Sequence, residues 1–259
     1  MIDRHWKDRL QTEPLLGCFV TFASPAICEF TAEIGFDFTL IDNEHGLMND
    51  ETLENMVRAS QAADCPSIVR IPYNQPDYIR RALDFGANGV QVPLVNEVPA
   101  ARRVVAASHF PPVGERGVAF QTRPARYGMV ADKAAYLREA DRAKLVAVHV
   151  ETVEAVERLD ALLDVEGIDV YFVGPGDLAV SMGYPHDLNH PDVITAVDKT
   201  IGRIRDRGKV AGTYVGSADR GRQVIDAGAH YVVTILTPHM VRGGHEFLGA
   251  VRRPVGGAR

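Results

Sequence analysis

Short apolar runs alternate with stretches of helical spacing about eight times along the 259 residues, and this rhythm limits the fold more than any other feature. It is clearest between Lys144 and Ala179. Leu145–Val150 and Val170–Val173 read as buried parallel strands. Between them, Val153, Val156, Leu159, Leu162 and Leu163 repeat at helical spacing, predicting one helix over Val153–Asp164. A right-handed strand–helix–strand crossover brings both strand C-termini to one edge of a parallel sheet. Glu151 closes the first strand, and Asp177 follows the second across Gly174-Pro175-Gly176. Adjacent strands lie about 4.8 Å apart, so the two carboxylates are expected side by side. Such a pair repels unless a cation or a shared proton lies between its members.

Further strands are expected at Leu15–Phe22, Phe38–Ile41, Ser67–Ile71, Gly89–Val92, Val210–Thr213 and Tyr231–Ile235. Helices are expected at Pro25–Ile34 with Ser24 as N-cap, from Asn49 or Asp50 to Ala63, and at Asp77–Phe85. Val98–Ser108, Pro191–Arg207 and Asp219–Ala227 complete the helical set. Phe110–Tyr127, with its prolines, glycines and Arg116, Arg123 and Arg126, breaks the rhythm and reads as a functional loop or lid. The tail Val255–Arg259 is expected to fray. No composition shift or internal repeat divides the chain, so a single (β/α)8 TIM barrel over residues 1–259 is the fold these patterns favour. A doubly wound sheet is the alternative, and no G-x-G-x-x-G follows the first strand to support a dinucleotide site there.

With 28 Lys+Arg against 34 Asp+Glu, the formal charge is −6, and no basic stripe interleaved with aromatics argues for a nucleic acid or an anionic membrane as partner. Cys18, Cys28 and Cys65 form an odd set without C-x-x-C spacing, as expected of reduced, buried thiols in a cytoplasmic protein. The opening MIDRHWKDRL has no apolar core of a signal peptide, and no apolar run is long enough to span a bilayer.

In a barrel the strand C-termini form the active face. There the sequence places Asp42, Glu44 and His45 after strand two, Arg70 at strand three, Glu151 at strand five and Asp177 after strand six. Glu151 and Asp177 are oxygen donors suited to Mg2+, Mn2+ or Co2+, which keep waters and share their shell with substrate oxygens. His149 faces the same way as Glu151 and could be a third ligand, a donor to substrate, or a residue of the barrel's interior layers. Asp42 could hold the His45 imidazole in one tautomer, or the two could form only a loop contact. Arg70 offers a forked cation to a carboxylate or oxyanion, or a partner to Asp42 or Glu44. None of Lys7, Lys133, Lys144, Lys199 and Lys209 falls at a strand's C-terminal end, which argues against Schiff-base chemistry and for carbonyl activation by a metal acting as Lewis acid.

The motifs LIDNEHG (Leu40–Gly46), IVRIP (Ile68–Pro72), ALDFGANGVQVPLV (Ala82–Val95), FPPVGERGVA (Phe110–Ala119), VHVET (Val148–Thr152) and VEGIDVYFVGPGDLAVSMGYP (Val165–Pro185) resemble, in this order, the HpcH/HpaI aldolases. The resemblance runs from about Gly17 to the eighth strand. It implies a metal-dependent class II pyruvate aldolase on a (β/α)8 barrel, with the last helix exchanged between subunits of a homohexamer built as a trimer of dimers. It implies Glu151 and Asp177 as metal ligands, and a 2-oxo acid held near the Gly176 and Asp177 amides. Arg70 would stabilise the enolate oxygen, and His45 with Asp42 would move the proton. A 4-hydroxy-2-oxo acid would thus be split into pyruvate and an aldehyde. Contacts to the aldehyde are expected on the Phe110–Tyr127 loop and around Val215–Gly216, from the same or a neighbouring subunit, and Arg116 and Arg123 there could bind a distal carboxylate or could form only intersubunit salt bridges.

The chain departs from the family's pattern at His149, commonly Gln, at GPGDLA in place of GPADLS, at Phe19 in place of a frequent Trp, and around Thr234–Met240. Two other readings follow from the same scaffold. A citrate-synthase-like condensation of acetyl-CoA with oxaloacetate would require turnover of acetyl-CoA. A non-catalytic 2-oxoacid-binding protein would bind pyruvate without metal-dependent activity.

Overall fold

The computed structural model describes residues 6–185 and 187–252, so the expectation for Val255–Arg259 lies outside the described residues. Eight parallel strands close into a barrel in chain order. They are β1 (Leu15–Val20), β2 (Phe38–Asp42), β3 (Ser67–Arg70), β4 (Gly89–Val92), β5 (Leu145–Val150), β6 (Val170–Val173), β7 (Val210–Tyr214) and β8 (Ala229–Ile235). Closure comes from β8 pairing with β1, with Leu15 opposite Tyr231 and Phe19 opposite Ile235.

The helices are α1 (Pro25–Ile34), α2 (Asp50–Ala62), α3 (Pro76–Asp84), α4 (Val98–Ser108), α5 (Lys133–Ala143), α6 (Val153–Glu157), α7 (Leu159–Leu163), α8 (Pro175–Ser181), α9 (Pro191–Asp206), α10 (Ala218–Asp226) and α11 (Leu236–Val251). Asn49 caps α2, its Oδ1 accepting from the Thr52 N–H at 2.8 Å. Ser24 occupies the N-cap position of α1 without a side-chain capping bond. The helix predicted over Val153–Asp164 is broken into α6 and α7, because Arg158 leaves helical geometry at φ −91°, ψ 7°. The apolar spacing runs through the break unchanged, so periodicity alone does not reveal it.

Period-two alternation along each strand divides two cores. Val146, Val148 and Val150 of β5 face outward under the helices, whereas Leu145 and Ala147 face the barrel interior with Leu15, Phe38, Leu40, Ile68 and Tyr231. At Gly17 the Phe38 ring passes 2.1 Å from where a Cβ would stand, so any side chain there would collide with the interior aromatic layer. Trp6 and Leu10, on a 3-10 turn over Trp6–Gln11, close the N-terminal mouth of the barrel. Lys7 fastens that plug, its Nζ donating to the Lys144 carbonyl and to Asp169 Oδ1, both at 2.7 Å.

The Phe110–Tyr127 segment is not a lid over the rim of its own barrel. Arg116 is buried there, donating to Asp84 Oδ1 at 2.8 Å with its guanidinium over the Phe110 ring. Arg123 donates to Gln61 Oε1 at 2.6 Å. Asp84 and Gln61 end helices that lead back to the N-termini of β4 and β3, so both arginines lie at the face opposite the strand C-termini.

Candidate active site

The inward-facing residues at the C-terminal ends of the strands wall a cavity of about 320 Å3. Phe19, Asp42, His45, Arg70, His149, Glu151, Gly176 and Asp177 line it, so these predicted site residues converge on one space, whereas Glu44, Arg116 and Arg123 are not part of its lining.

Asp42 and Arg70 are register partners across β2 and β3. Arg70 donates from Nε to Asp42 Oδ1 at 2.9 Å and from Nη2 to Oδ2 at 2.7 Å, a forked pair in which the carboxylate is almost wholly buried. Arg70 Nη1 lies 3.1 Å from Glu44 Oε2, and the guanidinium stacks 4.6 Å from the Phe19 ring centroid. Three of the five N–H groups of Arg70 are accounted for by these carboxylates, which leaves two for a ligand oxygen.

The expected hold of Asp42 on the His45 imidazole is not what forms. Asp42 Oδ1 accepts instead from the backbone N–H of Glu44 at 3.1 Å and of His45 at 3.3 Å, which fixes the turn. The His45 side chain is 68% exposed, with Nε2 3.8 Å from Glu44 Oε2. It stands at the mouth of the cavity with its ring free of Asp42. Burial raises the Glu44 carboxyl above its ordinary range, opposed by the charge of Arg70.

Glu151 is held at both oxygens. Oε1 accepts from the Leu94 N–H at 2.8 Å, and Oε2 lies 2.5 Å from His149 Nδ1. Leu94 reaches it from a left-handed backbone conformation at φ 53°, which aims the amide into the barrel. Burial opposes ionisation of Glu151, but His149 and the Leu94 amide overcome it and keep the carboxyl below its usual range. Gly174 provides the space, since a Cβ there would come within 2.8 Å of Glu151 Oε2. Asp177, in the first turn of α8, is pushed the other way, upward, by partial burial and by the Glu151 charge. Two carboxylates thus share one cavity, and the Glu151 charge opposes ionisation of Asp177.

That donor set fits a hard divalent cation. Each Glu151 oxygen accepts one hydrogen bond and retains a lone pair, and Asp177 offers a second carboxylate on the same cavity. Among the described residues no group of three His, Cys, Asp or Glu side chains converges as a closed metal cage. Two carboxylates leave open positions for substrate oxygens and water. His149 does not supply a third ligand in this arrangement, because Nδ1 faces Glu151 and Nε2 lies 2.7 Å from Gln91 Nε2. Gln91, Leu94 and Tyr231 are contributors that sequence reasoning missed. Gln91 carried a signal, as the single polar residue in the strand GVQV.

A second cavity of about 410 Å3 adjoins the first and shares Pro175, Leu188 and Tyr214 with it. Gly216 and Ser217 line this outer space, so part of the region expected to meet the aldehyde does border the site.

The sequence profile of the HpcH/HpaI aldolase/citrate lyase family matches residues 15–237. The chain belongs to that family. A 4-hydroxy-2-oxo-heptane-1,7-dioate aldolase of Salmonella dublin is 34% identical over 247 residues, which span 95% of this chain and 93% of the relative. The crystal structure of an HpcH/HpaI aldolase/citrate lyase family protein from Burkholderia cenocepacia J2315 superposes with a TM-score of 0.90 at 32% identity, covering 97% of this chain and all of that one. The crystal structure of the citrate synthase SbnG is similar at a TM-score of 0.86 and 27% identity, covering 95% of this chain and 96% of that one. This member of the family is accordingly an enzyme of the aldolase type, a carbon–carbon lyase.

Proposed function

We propose that this enzyme is a divalent-metal-dependent aldolase that splits a 4-hydroxy-2-oxo acid into pyruvate and an aldehyde. The observation that carries the reading is the pair of carboxylates, Glu151 and Asp177, within one cavity that Arg70 and His45 also line. A cation of the Mg2+, Mn2+ or Co2+ kind held by Glu151 and Asp177 would supply the Lewis acidity that polarises the 2-oxo group.

The residues of the chain supply the rest. The Gly176 and Asp177 N–H groups open α8 and have no intrahelical partner, so they can bind the substrate carboxylate. The two remaining N–H groups of Arg70 face the oxygen that gains negative charge as the C3–C4 bond breaks. His45 takes the proton from the C4 hydroxyl, the C3–C4 electron pair moves into C2–C3, and the aldehyde departs. Protonation of the resulting enolate at C3 gives the methyl group of pyruvate. Asp42 does not transfer a proton in this scheme; it holds Arg70 in place.

The same reading takes the enzyme to be a homo-oligomer. In α11 only Leu236 is buried, while Met240, Val241, Phe247, Leu248 and Val251 are exposed. An apolar hollow of about 360 Å3 lies between Leu16, Val215, Ile225 and Val232 beside β1 and β8, with His239 of α11 also in its lining. Exchange of α11 between two subunits would cover both surfaces. A cytoplasmic setting is part of the proposal, supported by three free, buried cysteines whose thiols burial raises to about 12. Among the described residues no helix is long and apolar enough to cross a membrane.

The test is release of pyruvate from a set of 4-hydroxy-2-oxo acids, followed by lactate dehydrogenase, with Mg2+, with Mn2+ and with EDTA. Metal-dependent cleavage supports the reading. Absence of cleavage together with metal-dependent consumption of acetyl-CoA and oxaloacetate would replace it with the citrate-synthase chemistry.

A further inference from the structure

His149 lies on β5 two residues before Glu151, and its ring is held from both sides within the barrel. Gln91 lies on β4, and Tyr231 enters from β8 on the far wall. The Tyr231 hydroxyl donates to Gln91 Oε1 at 2.9 Å. The Gln91 Nε2 group then faces His149 Nε2 at 2.7 Å, and His149 Nδ1 faces Glu151 Oε2 at 2.5 Å. Gln91 and Tyr231 are wholly buried, and His149 is 2% exposed.

The order of donors follows from the chemistry of the groups. With its oxygen occupied by the phenol, the Gln91 amide presents an N–H to the imidazole, so Nε2 of His149 accepts. The ring proton is then on Nδ1, the nitrogen that faces the Glu151 carboxylate. Direction thus passes along one line: phenol to amide, amide to imidazole, imidazole to carboxylate. The aromatic wall keeps the line rigid. Tyr231 stacks on Phe38 at 4.5 Å between centroids, and the His149 ring lies 4.8 Å from that of Phe172. Complete burial also keeps the Tyr231 phenol protonated, as a donor must be. Buried in this way, each of these groups takes its orientation from its neighbour.

We propose that Gln91 and Tyr231 are positioning residues that act through His149 to fix the Glu151 carboxylate for its cation. The inference rests on the metal-dependent reading of the site. His149 is then an orienting donor, with neither ring nitrogen available as a ligand.

The test uses the whole enzyme and Mn2+ as probe, with free Mn2+ read by electron paramagnetic resonance and the His149 ring read by 15N NMR in the metal-free protein. Tyr231→Phe removes one oxygen and preserves the stacked ring; Gln91→Leu removes the link itself. Partners of this kind are worth about 10- to 100-fold in metal affinity. Gln91→Leu is expected to weaken Mn2+ binding within that range, and Tyr231→Phe by about tenfold at its lower end. Both should move the His149 nitrogens from a single Nδ1–H tautomer to a mixture, and Gln91→Leu should have no further effect on Mn2+ in a His149→Gln background. A role confined to stability would lower the melting temperature without moving either readout. Wild-type Mn2+ affinity and an unchanged 15N pattern in Tyr231→Phe would overturn the inference, even if Gln91→Leu failed to fold. Failure of the wild type itself to bind Mn2+ would instead refute the metal reading, and the 15N pattern alone would then decide whether the line of donors exists.

Discussion

Gly174 and Gly176 flank Pro175 at the site, and the structure assigns them opposite sensitivities. In Gly174→Ala, the new methyl group would lie 2.8 Å from Glu151 Oε2 and 2.9 Å from Glu151 Cβ. The oxygen can rotate away, but the Cβ is fixed to β5 and cannot. Ordinary contact begins near 3.4 Å, so the end of β5 or of β6 must give way by about half an ångström. Overpacking of this kind costs about 1–3 kcal/mol of stability. The effect on rate should be larger than stability alone implies, because a displacement of about 1 Å at a reacting centre can cost about 100-fold. A loss of about 10- to 100-fold in kcat/KM, with a folded enzyme, is the expected result. Gly176→Ala is the matched control, since nothing lies within 4 Å of a Cβ there and the change restores the residue of the family's GPADLS motif. It should leave kcat/KM within a few-fold and stabilise α8 by up to about 1 kcal/mol. Steady-state cleavage and thermal melts of both variants make the comparison. Wild-type kcat/KM in Gly174→Ala would refute the argument that the position of Glu151 governs catalysis.

His45→Ala should lower kcat by about 100-fold or more while the melting temperature stays near wild type, because the side chain is exposed and, in the proposed scheme, serves proton transfer; a matching fall in melting temperature would argue for a structural role. Asp42→Asn breaks a buried forked pair and should cost about 3 kcal/mol in a denaturant titration, besides activity. Lys144, buried beside Asp141, has its pKa pulled by burial from 10.5 to about 8. Between those values the unfolded chain binds the proton and the folded chain does not, so this residue makes stability rise with pH, by up to about 3 kcal/mol across the window. Below about pH 8 its penalty is fully present. Lys144→Met should remove that slope relative to wild type, and parallel slopes would contradict it.

The barrel is legible in the sequence because each strand is a short apolar run set between stretches of helical spacing, although α5, α8 and α11 are not among the helices expected from that spacing. The carboxylate pair is legible for the same reason, since adjacency of β5 and β6 fixes their neighbourhood before any side chain is placed. The partner of Asp42 is not legible. A spacing of three residues suggests His45, whereas strand register brings Arg70 across from β3, and register is a property of the closed sheet. Gln91 and Tyr231 meet across the barrel interior from strands four and eight, and their pairing depends on the stagger of all eight strands. For the arginines of Phe110–Tyr127 the residues alone leave substrate binding and salt bridging open, and chain order already argues against the rim of their own barrel. That segment follows α4 and leads to β5, so it must return to the N-terminal face.

Exchange of the pyruvate methyl protons with deuterium, followed by proton NMR, isolates enolate formation from the identity of the aldehyde. Samples would contain wild-type enzyme with Mg2+, the same with EDTA, and Glu151→Gln with Mg2+. The account predicts exchange with Mg2+ in the wild type and its loss in the other two. Exchange that persists in EDTA or in Glu151→Gln, or its absence in the wild type with each of Mg2+, Mn2+ and Co2+, would contradict it.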